Sequence, residues 1–153
     1  MKILVTSDSH GAKNNIVRTV AVESPDIILH LGDRITDCID AEFEYPDILL
    51  RSIRGNCDRS SAGLDTDEFV LCRKRFLMTH GHLYGVKTGF SRILEAATSR
   101  SVDVLLFGHT HIPYYSVTDG LTVVNPGSIG EGTKSYAVLD LTDRRISCEH
   151  KFL

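Results

Sequence analysis

The sequence predicts an α/β fold with two sheets, and three observations support this prediction. In the first 111 residues, short apolar runs alternate with stretches of helical periodicity, which indicates strands joined by crossover helices in a largely parallel sheet. After residue 113 the runs are separated by turns, a pattern typical of hairpins in a second, more antiparallel sheet. Polar clusters follow directly after the early runs, so they fall at strand ends.

The first half of the chain supplies the elements of the parallel sheet. Apolar runs predict strands over 3–6, 27–31, 48–53, 76–78 and 102–107. Residues 12–22 have the helical spacing of Ile16, Val17 and Val20, and Pro25 ends that helix. A second helix over 88–100 places Phe90, Ile93, Leu94 and Ala97 on one face, which we expect to pack against the first sheet.

The second half of the chain reads as two hairpins. Residues 114–117 and 121–124 are joined by a turn at Asp119-Gly120, a dipeptide typical of tight turns. Strands over 135–139 and 145–151 follow. These four strands are the basis for the predicted second sheet.

Length and composition indicate one soluble domain over residues 1–153. A chain of 153 residues can bury a core large enough to fold without disulfides or a structural metal. A net charge of -3 and the absence of a basic run argue against stable binding to long nucleic acid. Four cysteines without CxxC spacing, and no secretory or membrane-spanning run, predict a cytoplasmic protein without a membrane partner.

Five polar clusters follow the apolar runs and carry the functional prediction. They are Asp8-Ser9-His10, Gly32-Asp33, Gly55-Asn56-Cys57-Asp58, His80-Gly81-His82 and Gly108-His109-Thr110-His111. Ligands collect outside the carboxyl ends of parallel strands, so these clusters can converge. Carboxylates, an amide oxygen and imidazoles bind divalent transition metals, and seven such groups suffice for two ions that share one carboxylate. The spacing of two within the first and last clusters predicts paired side chains on one side of an extended backbone.

The ordered clusters, followed by Asn125-Pro126-Gly127-Ser128, resemble the motifs of the calcineurin-like metallophosphoesterase superfamily. The small single-domain phosphodiesterases of bacteria and archaea are the most similar branch. The resemblance implies a two-sheet sandwich flanked by helices in four layers. By motif it implies that Asp8, His10 and His111 hold one metal ion, that Asn56, His80 and His109 hold a second, and that Asp33 bridges both.

The resemblance also implies an activity. We expect a dinuclear, metal-dependent phosphoesterase, a phosphodiesterase rather than a monoesterase, that hydrolyses a small phosphodiester by attack of a metal-bridging hydroxide. Mn is the metal expected from the family, and the ligand types also admit Ni, Co, Fe or Zn. Two ions, two aspartates and a hydroxide leave roughly one net positive charge, which attracts an anionic ester.

The general acid is left open by one departure from a related branch. Phosphoprotein phosphatases carry a histidine where this chain has Cys57, so His82 is the candidate catalytic residue for assisting the leaving group. Asp58 is expected to orient the site by hydrogen bonds rather than bind metal. Arg34, Arg54 and Arg59 flank the motifs and could contact a phosphate, although arginines at strand ends are commonly solvated.

A non-catalytic reading stands beside the enzymatic one. Taken singly, each candidate ligand is a typical turn residue. The retromer subunit of this fold has a degraded site, so a metal-binding scaffold acting through protein partners is the alternative. All seven ligand positions match here, which favours catalysis. Relatives in the family are often dimers or tetramers, so a homo-oligomer stays open.

Overall fold

The structure, a computed structural model, describes residues 1–58 and 63–153 and contains ten strands and three α-helices within these ranges. The strands are β1 (Lys2–Thr6), β2 (Ile27–His30), β3 (Leu49–Ser52), β4 (Thr66–Leu71), β5 (Lys74–Thr79), β6 (Val104–Phe107), β7 (Pro113–Thr118), β8 (Leu121–Pro126), β9 (Ser135–Leu141) and β10 (Ile146–Phe152). The helices are α1 (Lys13–Glu23), α2 (Ile39–Glu44) and α3 (Ser91–Ser99).

The strands form two mixed five-stranded sheets. Sheet A has the order β10-β9-β1-β2-β3, and sheet B has the order β4-β5-β6-β8-β7. Within sheet A, β1, β2 and β3 are parallel, β9 runs antiparallel to β1, and β10 runs antiparallel to β9. Within sheet B, β5, β6 and β8 are parallel, and β4 and β7 are antiparallel at the two edges.

The strands are divided between the sheets differently from the sequence-based prediction. The five early runs belong to both sheets, because β1, β2 and β3 lie in sheet A whereas β5 and β6 lie in sheet B. The two hairpins likewise complete one sheet each, with β8 pairing to β6 and β9 pairing to β1. Apolar runs show that a strand is buried but not which neighbour it pairs with, so the predicted separate antiparallel sheet is wrong.

The core lies between the two sheets, and helices cover their outer faces. Ile3, Val5 and Leu29 of sheet A pack with buried residues of sheet B such as Phe76 and Leu106. Helix α1 covers the other face of sheet A through Ile16 and Val20, which lie in a cluster with Leu4 and Ile28. The result is the four-layer sandwich that the sequence predicts.

Helix α3 covers sheet B instead of the strands of sheet A. Its Ile93 and Ala97 are fully buried against Leu77, Leu105 and Val123. We expected α3 to pack against one sheet formed by all the early strands. It packs against β5 and β6, which lie in sheet B, so the expectation is right for these two strands and wrong for β1–β3. Among the described helices, none has the length and apolar character needed to cross a bilayer.

Backbone hydrogen bonds join the loops at the carboxyl ends of the parallel strands. The Asp8 N–H donates to the Gly32 carbonyl at 2.9 Å, and the Gly108 N–H donates to the His80 carbonyl at 3.1 Å. Between the sheets, the His109 N–H donates to Asp8 Oδ2 at 3.0 Å. The polar clusters of both sheets therefore meet at one end of the sandwich.

Candidate metal centre

Five loops bring all seven predicted ligands to this end of the sandwich. Asp8 and His10 follow β1, Asp33 follows β2, Asn56 follows β3, His80 follows β5, and His109 and His111 follow β6. Their ligand atoms form two neighbouring groups, and a third group of His10, Asp33 and Cys57 overlaps the first through His10 and the second through Asp33.

The first group contains Asp8, His10 and His111. One ligand atom from each lies within 4.8 Å of the others. His10 Nε2 is 3.4 Å from His111 Nε2, and His111 Nε2 is 3.1 Å from Asp8 Oδ1. Two imidazole nitrogens and a carboxylate oxygen aimed at one point form a donor set suited to a divalent transition metal.

The second group contains Asp33, His80 and His109, again with ligand atoms within 4.8 Å of one another. Asn56 Oδ1 lies 3.2 Å from His80 Nε2, so the amide oxygen joins this group. The structure therefore brings together the residues that the family resemblance assigns to two ions, and their role as metal ligands stays a prediction.

Asp33 lies between the two groups. Its Oδ2 is 3.5 Å from His80 Nε2 and 3.8 Å from His10 Nε2, while its Oδ1 accepts the Cys57 N–H at 2.8 Å. Burial would raise the pKa of Asp33, but His80 and the Cys57 N–H outweigh it and hold the pKa well below its usual range. A permanently ionised carboxylate in this position has the placement that a bridging ligand requires.

Asp8 provides a direct test of whether the residues fit a metal ion. The side chain is fully buried, and its Oδ2 accepts hydrogen bonds from the Ser7 hydroxyl and the His109 N–H. Its Oδ1 is also buried and accepts no well-aligned hydrogen bond within the described residues, although His111 Nε2 lies 3.1 Å from it. An unsatisfied buried carboxylate oxygen costs free energy, and a cation in the first group would satisfy it. The donor set therefore fits a bound metal.

Two histidines are oriented by contacts on the ring nitrogen that faces away from the cluster. His80 Nδ1 lies 2.7 Å from the Leu31 carbonyl and donates to it, so Nε2 is the nitrogen that faces the cluster. Burial alone would lower the pKa of His80, but Asp33 and Asp8 outweigh it and raise that pKa in the metal-free protein, so a metal ion would displace the Nε2 proton when it binds. His111 Nδ1 lies 3.4 Å from Glu131 Oε2. Sequence analysis missed Glu131, because a separation of twenty residues from His111 gives no local signal.

The pKa of His109 is lowered to about 4, mainly by burial and also by the charges of His80 and Lys87. His109 is therefore neutral near pH 7. Neutral imidazole is the form that binds metal.

The backbone at the ligands is left-handed and not extended as predicted. The φ angles are 54° at Asp8, 45° at His10, 59° at Asp33, 68° at His109 and 61° at His111. The two-residue spacing still brings both side chains to the cluster, but it does so through turns. Such residues cost about 1–3 kcal/mol each and persist where surrounding contacts hold them. The prediction of an extended backbone at these residues is therefore wrong, although the side chains converge as predicted.

Two glycines allow these loops to approach closely. A Cβ on Gly55 would overlap Asp33 Oδ1, and a Cβ on Gly108 would overlap the Ser7 hydroxyl beside Asp8. Larger residues would displace the carboxylates that face the cluster. Close approach of the backbone is therefore required at both positions.

Supporting side chains hold the loops from outside the cluster. Asp58 accepts the N–H groups of Arg34, Ile35 and Gly55 at 2.9 Å each, as expected of an orienting residue. Asn125 donates to the Gly108 carbonyl at 2.9 Å and to Thr110 Oγ1 at 3.0 Å, which fixes the loop that carries His109.

His82 lies beside the second group. Its ring centroid is 5.4 Å from that of His80 and 6.1 Å from that of His109. Burial and the charge of His80 lower its pKa, which favours the neutral ring. Its Nδ1 is buried without a hydrogen-bond partner in the described part of the chain. His82 is thus near enough to contact a substrate, and its role as an acid stays a prediction.

Three arginines near the motifs were considered as phosphate contacts, and the structure describes two of them. Arg54 pairs with Asp65 at 2.8 Å, and Arg34 Nε lies 3.8 Å from Asp37. Arg59 lies outside the described residues. Acidic partners therefore compete with any phosphate for the two described guanidinium groups.

A four-layer α/β sandwich with clustered histidines and carboxylates at its strand ends defines the class of metal-dependent phosphoesterases. The chain belongs to the calcineurin-like phosphoesterase superfamily, whose domain model matches residues 1–144. The probable metallophosphoesterase YsnB of Bacillus subtilis is 35% identical over 151 residues, which cover 92% of this chain and 85% of the relative. The phosphodiesterase MJ0936 of Methanocaldococcus jannaschii is 28% identical, with 83% of each chain covered.

Solved structures that share the fold include the following two. A predicted phosphoesterase from Streptococcus pneumoniae superposes with a TM-score of 0.81 at 24% identity, covering 99% of this chain and 88% of that one. Zinc-bound Vps29 from Entamoeba histolytica superposes with a TM-score of 0.77 at 17% identity, covering 99% of both chains. At these identities the similarity establishes the architecture alone.

Proposed function

We propose that this protein is a dinuclear metal-dependent phosphodiesterase acting on a small phosphodiester. One observation carries the proposal: ionised Asp33 lies between two groups of ligand atoms, one of which contains the unsatisfied Asp8 Oδ1. The names of the relatives in Bacillus subtilis and Methanocaldococcus jannaschii support the same class of activity.

The protein residues perform the positioning in this reaction. Asp8, His10 and His111 would hold one ion and Asn56, His80 and His109 the other, with Asp33 shared. When bound, two divalent ions lower the pKa of a coordinated water and stabilise charge on phosphoryl oxygens. Mn is the expected metal, with Ni, Co, Fe or Zn compatible with the same ligands. The buried carboxylates and the hydrogen-bonded ring of His80 preorganise the site before substrate binds.

His82 is the candidate for contact with the leaving group. Burial and the charge of His80 lower its pKa, so little of the ring carries a proton to donate near neutral pH, and bound cations would lower that pKa further. Esters with good leaving groups, which need little protonation, are therefore the favoured substrates. A small substrate, a cytoplasmic location and a homo-oligomeric state are further parts of this proposal.

A metal-binding scaffold is the second candidate function. The fold that the chain shares with Vps29 favours it. The presence of all seven ligand residues of the motifs favours catalysis over the scaffold.

The first experiment compares bis(p-nitrophenyl) phosphate with p-nitrophenyl phosphate as substrates for chelator-stripped protein titrated with Mn²⁺. We expect Mn²⁺-dependent hydrolysis that favours the diester. Asp33→Ala and His80→Ala should lower the rate by at least about a hundredfold, since each removes a ligand. Asp47→Ala, which removes an exposed carboxylate, serves as the matched control. Metal binding without hydrolysis for every candidate metal would favour the scaffold.

A further inference from the structure

A cavity opens next to the metal centre, on the side of sheet B. Its volume is about 610 Å³, within the range of small-molecule sites. Its walls include Val86, Lys87, Phe90, Thr110, Ile112 and Tyr114. Thr110 lies between His109 and His111 in the chain, so the cavity is continuous with the ligand loop.

The floor of the cavity is aromatic. The Phe90 ring centroid lies 5.0 Å from that of Tyr114 and 5.0 Å from that of Phe107, each with an interplanar angle of 70°. Phe107 is fully buried, so this edge-to-face cluster is anchored in the core beneath α3. The cavity therefore has a rigid surface suited to a flat apolar group.

The rim of the cavity adds apolar surface and one positive charge. Ile112 is 67% exposed although it is a large hydrophobic residue. Lys87 makes no ion pair among the described residues, and its charge is felt by both His109 and His111. A ligand with a phosphate at the metal centre and an aromatic group in the cavity would satisfy both features.

We propose that this cavity, named here the aromatic subsite, binds an aromatic ester group of the substrate, a nucleobase in biological esters. The inference rests on the proposed function, since the metal centre must hold the phosphate. Every nucleobase can stack on protein aromatic groups. The subsite would therefore favour esters with an aromatic group over sugar or alkyl esters, without favouring one base over another.

The test is calorimetric binding of AMP and of ribose 5-phosphate to the Mn²⁺-loaded protein. The two ligands share the phosphate and the sugar, so the ratio of their dissociation constants isolates the base. We expect AMP to bind at least about tenfold more tightly. Ile112→Asn and Phe90→Leu should each lower this ratio at least threefold and leave ribose 5-phosphate affinity unchanged. Val117→Asn, at a 57% exposed position on β7 outside the cavity walls, is the matched control.

The outcomes separate the inference from the proposed function. Equal affinities for the two ligands, or a preference for AMP that both cavity variants retain, would overturn the aromatic subsite even if diester hydrolysis is present. Metal-loaded protein that neither hydrolyses bis(p-nitrophenyl) phosphate nor binds either ligand would overturn the proposed function, and the inference with it.

Discussion

His30 is a buried histidine that takes no part in the proposed chemistry. It is fully buried on β2, with Nδ1 2.9 Å from Thr6 Oγ1. Burial lowers its pKa to about 4, against the opposing charges of Asp8 and Asp58. The folded protein therefore keeps this ring neutral, whereas the unfolded chain protonates it below about pH 6.5.

This difference predicts a loss of stability in mild acid. The unfolded state binds more protons between pH 6.5 and 4, so the contribution of His30 is fully present above pH 6.5 and falls as the pH approaches 4. Relative to His30→Gln, the metal-free wild-type protein should lose about 2 kcal/mol of unfolding free energy between pH 7 and pH 5. Urea denaturation at both pH values measures this, and the other histidines cancel in the difference. Equal losses in both proteins would contradict the prediction.

At the scale of single residues, the ligand types were readable from the sequence but their backbone was not. Asp8 and His109 were predicted as ligands because they follow buried strands. Their left-handed φ angles were not, since most aspartates and histidines lie at negative φ and the sequence does not mark the minority that do not. Glu131 contacts His111 from the loop between β8 and β9, which joins the two sheets, so no local pattern could reveal the contact.

At the scale of elements, an ion cluster joins α1 to the hairpin of β9 and β10. Glu23 at the end of α1 is 4% exposed and accepts the Tyr136 hydroxyl at 2.9 Å. Lys151 Nζ lies 3.1 Å from both Glu23 oxygens. The cluster satisfies a carboxylate that would otherwise be buried without a counter-charge.

Removing one partner from this cluster should destabilise the protein. Lys151→Met leaves the buried Glu23 carboxylate with the Tyr136 donor and the more distant charge of Lys2, so we expect a loss of about 1–3 kcal/mol in unfolding free energy. Lys74→Met breaks a more exposed pair with Asp103 at 3.9 Å and should cost less than about 1 kcal/mol. Urea denaturation compares the two. A Glu23→Gln, Lys151→Met double variant as unstable as Lys151→Met alone would show that the buried charge is not the cause.

The short elements were the hardest to predict. Helix α2 has only six residues, too few for a helical period to be recognised, and β4 carries Asp67 and Glu68 at a sheet edge. The order of strands also lies beyond periodicity, because fully buried strands such as β2 and β6 have similar apolar runs. Their placement in different sheets depends on side-chain packing across the whole core.

At the scale of the whole molecule, metal binding should stabilise the fold. An ion that binds only the folded state adds about 2.7 kcal/mol at a free concentration one hundred times its dissociation constant. We expect Mn²⁺ to raise the melting temperature of chelator-stripped protein and EDTA to reverse the rise. Asp33→Asn should reduce the rise at the same Mn²⁺ concentration, whereas Asp47→Ala should retain it. Equal rises in the two variants would place the stabilising ion elsewhere.

Both predicted ligand groups draw side chains from the two sheets. Asp8 and His10 come from sheet A and His111 from sheet B, and the second group is divided in the same way. A bound ion would therefore link sheet A to sheet B through its ligands. Separation of the sheets at this end would then break metal–ligand bonds, so we expect a bound metal to slow the opening of the sandwich.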